Sequence, residues 1–260
     1  MHQPLSYINS NAEIARNVVI EPFVTIEKDV TIGNGTWIGS NAIIMEGSRI
    51  GENCKIFPGA VIGATPQDLK FNGEKSVAII KDNTTIREYA TINRGTIAKG
   101  ETIIGENCLI MAYTHIAHDC TIGDNCILVN GVTLGGHVSI DNYATIGGLS
   151  AIHQFVSIGK HSMISGGSLV RKDVPPYVKA AREPLSFVGI NSIGLRRRGF
   201  SKDKIQEIQD VFRILYQKNN NNTQAVFKIE TEISVSKERD EIVSFIQNSK
   251  RGIMKGYNQK

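Results

Sequence analysis

The sequence predicts a mainly β chain: a parallel β-helix of hexapeptide repeats over residues 1–183, followed by a small α-helical domain over residues 184–260. Three observations carry this. An aliphatic residue returns every six positions from Ile8 to Val170. The residue two places before it is small, and the residue one place after it is often glycine. Beyond Val170 the six-residue period stops and helical spacing begins.

The period starts with ten consecutive isoleucines, from Ile8 and Ile14 to Ile56 and Ile62. It resumes at Ile80, Ile86 and Ile92, and again from Ile104 through Ile164 to Val170. Of the 28 slots, 25 hold Ile, Leu or Val, and only Asp68, Glu74 and Ala98 break the frame, so the pattern is a repeat and not a coincidence of composition. A six-residue period fits neither a 3.6-residue helix nor a free-standing strand. Each hexad supplies one short strand and one corner, and three hexads close a triangular coil of 18 residues. The isoleucine points inward, residues such as Val24, Ala60 and Ala144 fill the space beside it, and glycines such as Gly33, Gly51 and Gly147 are expected to ease the turn.

Two segments, 63–79 and 93–103, lose the pattern but return in frame, which predicts loop insertions on one face of the solenoid. After Val170, Asp173-Val-Pro-Pro-Tyr177 marks the change of structure. Ser201 reads as an N-cap ahead of Ile205, Ile208, Val211, Phe212 and Leu215. A loop is expected over 219–222, helices from about Gln224 and after Ser236, and a stop at Gly252.

Composition excludes several classes. Apolar residues make up 41% and charged residues 21% of the 260, which describes a globular chain and not a disordered one. No apolar run reaches the roughly 18 residues of a membrane span, and the first residues lack a secretory signal, so a cytoplasmic location is expected. The net charge of +4 hides an asymmetry: residues 1–170 carry −4 and residues 171–260 carry +8. The basic end is the expected landing surface for an acidic partner. No aromatic residues interleave the basic run, which argues against nucleic acid.

Cys54, Cys108, Cys120 and Cys126 all fall in the small interior slot and read as buried apolar residues. The histidines differ. The hexads beginning at 116, 134 and 152 are 18 residues apart and stack as one face of three successive coils. With strands about 4.8 Å apart, His118, Asp119, His137, His153 and Gln154 gather in one patch, and His115 lies just before it. Three interpretations compete: decoration of a surface, a zinc site, and acid–base chemistry by an imidazole beside a carboxylate. The histidines occupy different hexad positions and need not converge on one point, which favours acid–base chemistry without metal. Gly136, one coil from His118, leaves its N–H open to a substrate oxygen. A base beside a free N–H suffices for acyl transfer.

The ordered motifs His115-Ile-Ala-His118-Asp119-Cys120, Leu134-Gly-Gly136-His137, His153-Gln154-Phe155, Asp173-Val-Pro-Pro-Tyr177 and Asn191 to Arg-Arg-Gly-Phe200 closely resemble the UDP-N-acetylglucosamine O-acyltransferase family, which starts lipid A synthesis. Gln67-Asp68-Leu69-Lys70 and Asn93-Arg94-Gly95-Thr96 match as well. The resemblance spans the whole chain and implies a left-handed coil, an exception to the right-handed crossover rule. It implies transfer of an (R)-3-hydroxyacyl chain from acyl carrier protein to the 3-hydroxyl of the glucosamine, with no cofactor, by a homotrimer. His118 would be the base, Asp119 its support and Gly136 N–H the oxyanion donor. Asp68 and Lys70 would contact sugar and diphosphate; His115, His137, His153 and Gln154 would line the substrate and acyl sites. Asn191, Arg197 and Arg198 would hold the uridine diphosphate, in a cleft shared by two subunits. Gly166 matches the position that limits acyl length, and glycine there implies a long chain. Two positions depart from the pattern: Asn93 stands where a close relative has His, and Ile193 where it has a carboxylate.

Acyl carrier protein is acidic, and Arg171, Lys172, Lys179, Arg182 and Arg196–Arg198 could steer it. Lys202, Lys204 and Lys218 read as a solvated basic face. The related N-acyltransferase of the same pathway carries an N-terminal uridine-binding domain, for which hexads starting at Ile8 are expected to leave no room. The same fold would also suit a γ-carbonic-anhydrase-type zinc enzyme, or a scaffold without chemistry.

Overall fold

The computed structural model describes residues 5–216 and 221–256. Its strands are mostly two residues long and form three sheets of nine, eight and eleven strands, wound as a left-handed triangular prism. The first face begins with Tyr7–Ile8, the second with Glu13–Ile14 and the third with Val19–Ile20. Each strand pairs in parallel with the strand one coil on. Ile116 opposes Leu134, and Leu134 opposes Ile152. The alternation of a strand is reduced here to one outward and one inward residue, so the inward isoleucines stack into a single buried column per face. The four cysteines are buried and unpaired by disulfides. Trp37 faces outward from the third face, where its ring N–H donates to Glu21 and its edge meets Phe57.

The turning is done two positions later than the glycines suggest. The left-handed residue lies three places after the isoleucine, as at Asp29, Asn53, Asn107, Asp119 and His137. Gly33 follows its isoleucine directly and does not adopt that conformation; a Cβ there would sit 2.6 Å from the Gly51 carbonyl carbon of the next coil. The glycine permits close approach of coils and not the turn.

Both insertions are shorter than expected. The strands Val61–Ala64 and Val77–Ile80 leave only residues 65–76 as loop, and Thr91–Asn93 and Glu101–Ile104 leave 94–100. The flanking strands extend beyond two residues because the frame break frees backbone to continue the ladder, with Val77 opposing Glu101.

After the last coil, Val178–Ala181 pairs with Met163–Ile164, and Ser186–Ile190 returns antiparallel to it. Position 183 therefore lies within a hairpin connection, and the first strand beyond it still belongs to the third face. Four helices follow: α1 (Ser192–Arg197), α2 (Lys202–Leu215), α3 (Asn222–Glu232) and α4 (Lys237–Asn248). Ser201 caps α2 as expected, with its hydroxyl accepting from Lys204 N–H. Ile208, Val211, Phe212 and Leu215 form the buried stripe of α2, with Ile205 at its margin. Asn221 and Gln224 cap α3 reciprocally, so the helix begins before Gln224. Of the loop expected over 219–222, residues 219 and 220 lie outside the described residues, as does Lys218, and Asn222 opens α3. α4 stops at Asn248, before Gly252, whose carbonyl instead accepts from Asp173 N–H. No helix among the described residues is long and apolar enough to cross a membrane.

Candidate active site

The corner between the first and second faces gathers most of the candidate residues. His118 and Asp119 follow the strand His115–Ile116, and the same corner one coil on holds Gly136 and His137. One coil further it holds Gln154 and Phe155. Asp119, His137 and Phe155 share the left-handed position, with φ of 60°, 62° and 65°. This conformation turns their side chains along the corner as a column. His137 stacks on Phe155 at 4.5 Å and meets the His118 ring edge-on at 5.2 Å. Gly136 leaves room for the His118 ring: a Cβ there would lie 2.6 Å from its Cε1. Among the described residues, Gly136 N–H has no acceptor.

Asp119 is fully buried. Its Oδ2 lies 2.7 Å from His118 Nδ1, and the same oxygen accepts from the Thr96 hydroxyl at 2.6 Å. Oδ1 accepts from Thr96 N–H at 2.9 Å. Burial pushes this carboxyl up, but the Thr96 hydroxyl, the His118 ring and the Thr96 N–H outweigh it and hold the group below its ordinary value. An ionised Asp119 requires the proton of His118 to sit on Nδ1, which leaves Nε2 free to accept one. His137 Nε2 is 3.6 Å from Asp119 Oδ2. Burial chiefly lowers the His137 pKa, against the raising charge of Asp119. Burial also lowers His115, whose Nδ1 lies 2.8 Å from Thr91 Oγ1 one coil back. Burial thus favours the neutral form of both flanking imidazoles.

Thr96 carries no role in the sequence expectations. Its signal was the break in the frame at Ala98, beside the corner that bears His118. The same segment brings Lys99, whose ammonium donates to the Asp119 carbonyl at 2.8 Å. His153 does not join the cluster; it is exposed, and its Nδ1 lies 3.1 Å from the Gln154 carbonyl. Nitrogens of His118 and His137 and an oxygen of Asp119 lie within 4.8 Å of one another, close enough to share an ion. Asp68 and Lys70 occupy the loop 65–76, where Asp68 Oδ1 accepts from Lys70 N–H. Asn93 is buried at the root of this loop and donates to the Thr65 carbonyl at 3.2 Å.

Asn191, Arg197 and Arg198 lie elsewhere. With Ile193 and Lys179 they line a cavity of about 580 Å³ over the outer side of the third face. Asn191 caps α1 and donates to the His161 carbonyl. Arg198 stands 5.0 Å above Tyr143, which stacks on His161. A single chain therefore separates this group from His118 by a face of the prism.

His161 is buried, and burial, with the charges of Arg198 and Lys160, lowers its pKa to about 4. The unfolded chain takes up this proton below its ordinary value near 6.5, so the contribution is complete above that pH and is lost as pH falls toward 4. We expect the unfolding free energy to fall between pH 7 and 5, with His161 contributing on the order of 1–3 kcal/mol. Urea titrations at both pH values check this, and a His161→Phe variant should show a shallower slope.

Comparison with known proteins decides the family. An acyl-[acyl-carrier-protein]–UDP-N-acetylglucosamine O-acyltransferase of Thermodesulfovibrio yellowstonii is 44% identical over 247 residues, 95% of this chain and 96% of its own. The chain belongs to this family of O-acyltransferases. The family description "Udp N-acetylglucosamine O-acyltransferase; Domain 2" matches residues 173–254 of this acyltransferase, and the bacterial transferase hexapeptide description matches 29–64 and 101–136. A UDP-N-acetylglucosamine acyltransferase structure from Bacteroides fragilis superposes with a TM-score of 0.96 at 52% identity, covering 98% of this acyltransferase and all of that chain. The Arabidopsis enzyme structure gives 0.84 at 31% identity, covering 98% and 100% of the two chains.

Proposed function

We propose that this acyltransferase moves an (R)-3-hydroxyacyl chain from acyl carrier protein to the 3-hydroxyl of the glucosamine in UDP-N-acetylglucosamine, the first step of lipid A biosynthesis, with His118 as base and no metal. The observation that carries this is the bond between buried Asp119 and half-buried His118, whose ring packs over Gly136. His118 Nε2 takes the proton of the 3-hydroxyl as its oxygen attacks the thioester carbonyl. The oxyanion forms at Gly136 N–H, a donor that needs no rearrangement. Collapse breaks the C–S bond and expels the carrier thiolate, which takes the proton back from the imidazolium. Asp119 remains ionised and stabilises the imidazolium throughout. Asp68 and Lys70 hold the sugar and diphosphate, while His115, His137, His153 and Gln154 line the substrate and acyl sites.

Asn191, Arg197 and Arg198 hold the nucleotide of a neighbouring active site in a homotrimer. Two features support this. His118 stands at the far edge of the first face and the arginines lie over the third face, so packing the first face of one copy on the third face of the next brings both sets together and closes a ring. The corner between those faces exposes Phe23, Tyr89, Tyr113 and Leu149, as an axial contact would require. The basic surface around Lys179 and Arg196 receives the acidic carrier protein in the cytoplasm; Arg171 contributes less, being paired with Glu183.

At that same corner Gly148 and Gly166 stack on successive coils above Asn130, where a Cβ on Gly166 would stand 3.1 Å from the Gly148 carbonyl oxygen, and the acyl chain runs past this surface free of side chains. Gly166→Met should shift preference toward shorter donors by about tenfold or more in kcat/KM, since three or four methylenes lose their place. Unchanged preference across a donor series rejects this assignment. The function itself is tested by assaying transfer from hydroxyacyl carrier protein to UDP-N-acetylglucosamine with and without a chelator. Transfer that persists with chelator supports a metal-free base, and loss on chelation turns the His118–Asp119–His137 cluster into a metal site.

A further inference from the structure

The three breaks in the aliphatic frame fall in the two loops: Asp68 and Glu74 in 65–76, Ala98 in 94–100. Glu74 has no place in the mechanism above. Its Oε2 accepts from Asn72 N–H of its own loop at 2.8 Å, and its Oε1 accepts from Ile97 N–H of the other loop at 3.0 Å. The residue before Ile97 is Thr96, which holds both oxygens of Asp119. Beyond buried Thr96, the segment 97–99 has little burial of its own to fix it. Ile97, Ala98 and Lys99 are exposed; Ala98 N–H donates to the Thr96 hydroxyl within the segment, and the side chains of Thr96 and Lys99 lead back to the Asp119 corner. A second link between the loops, at the root of the segment, is the Arg94 guanidinium 5.5 Å from the Phe71 ring. A continuous line of contacts thus runs from the loop bearing Asp68 and Lys70, through Glu74 and Thr96, to Asp119 and His118.

We propose that Glu74 is a positioning residue: its carboxylate latches the sugar-side loop to the Thr96 segment, so that the orientation of the Asp119–His118 pair depends on that loop being in place. The inference rests on the assignment of His118 as base and of loop 65–76 to the sugar nucleotide. Charge-assisted bonds from backbone N–H groups to a carboxylate are among the stronger and more directional polar contacts. Their loss at Ile97 frees the Thr96 main chain, and a base held less firmly reacts more slowly.

The test is a double-mutant cycle on the purified full-length enzyme, with the sugar nucleotide varied at saturating hydroxyacyl carrier protein. Glu74→Ala should raise KM for the sugar nucleotide and lower kcat, together costing about tenfold in kcat/KM, with KM for the acyl donor unmoved. Glu74→Gln should fall between, because an amide offers one acceptor oxygen for the two N–H groups. Thr96→Val, which removes the hydroxyl donor, should lower kcat by about tenfold. Combined with it, Glu74→Ala should add little further loss in kcat, since both act through the same carboxylate. Should the valine variant fail to fold, Thr96→Ala takes its place, and Thr96→Ser should restore wild-type kcat. Losses that multiply independently overturn the latch, as do wild-type kinetics in Glu74→Ala or a lowered Tm with unchanged kinetic constants. His118→Ala serves as the control: if it retains turnover, the base assignment has failed and not the latch alone.

Discussion

Replacing His118 with alanine is expected to lower kcat for acyl transfer by a factor of about 10² to 10⁴, the usual contribution of a general base. Both substrates should still bind, because the groups proposed to hold them, in loop 65–76, in the cavity over the third face and at the Gly148–Gly166 corner, do not depend on this ring. The fold should survive as well: His118 sits at a corner on the outside of the coil, while the column of Ile116, Leu134 and Ile152 carries the burial. The measurement is steady-state kinetics beside a thermal melt. A large loss of kcat with KM and Tm near wild type is the expected outcome. Near-normal turnover would falsify the base assignment and favour a solenoid whose histidines do no chemistry.

Gly136→Ala is expected to lower kcat by about 10²-fold without touching His118 chemically. The added Cβ would stand 2.6 Å from His118 Cε1 and 2.8 Å from Nε2. Something must shift, and the imidazole is the movable partner, since the backbone on either side is fixed by the stacked coils. A displacement of about 1 Å in a catalytic group costs about two orders of magnitude. Gly136 is not in the left-handed region, so alanine brings no backbone strain of its own and the melting temperature should change little. Rates measured alongside circular dichroism separate the two effects. Wild-type kcat in a folded variant would mean that the ring's position over Gly136 is not what the reaction uses.

The parts of this protein that were legible in advance are those that obey the period. Register, coil length and the inward column follow from a single aliphatic step, and the stacking of His118 over Gly136 follows from an 18-residue offset. What the period could not convey is which corner residue adopts the left-handed conformation, because glycine and the turning residue occupy different places in the hexad. Nor could it place Thr96 or Glu74. These lie where the frame is broken, and their partners are set by loop backbone and not by coil register. His153 shows the same limit from the other side: it lies in the hexad stacked on the cluster, yet at a different place in it, and its ring reaches the neighbouring Gln154 carbonyl. Asn191 and the arginines were recognisable by motif, but only the prism shows that they lie over the one face that His118 does not border.

One consequence follows from building a site across stacked coils. A triangular prism of identical rungs is indifferent to how many rungs it has. Excising residues 121–138 would remove one full coil and leave the aliphatic columns continuous, yet Gln154 would then lie over His118 where Gly136 lies now. The architecture is modular while the chemistry is not. Evolution could lengthen or shorten such a chain freely on either side of this corner, but the two rungs that meet at it must be inherited together.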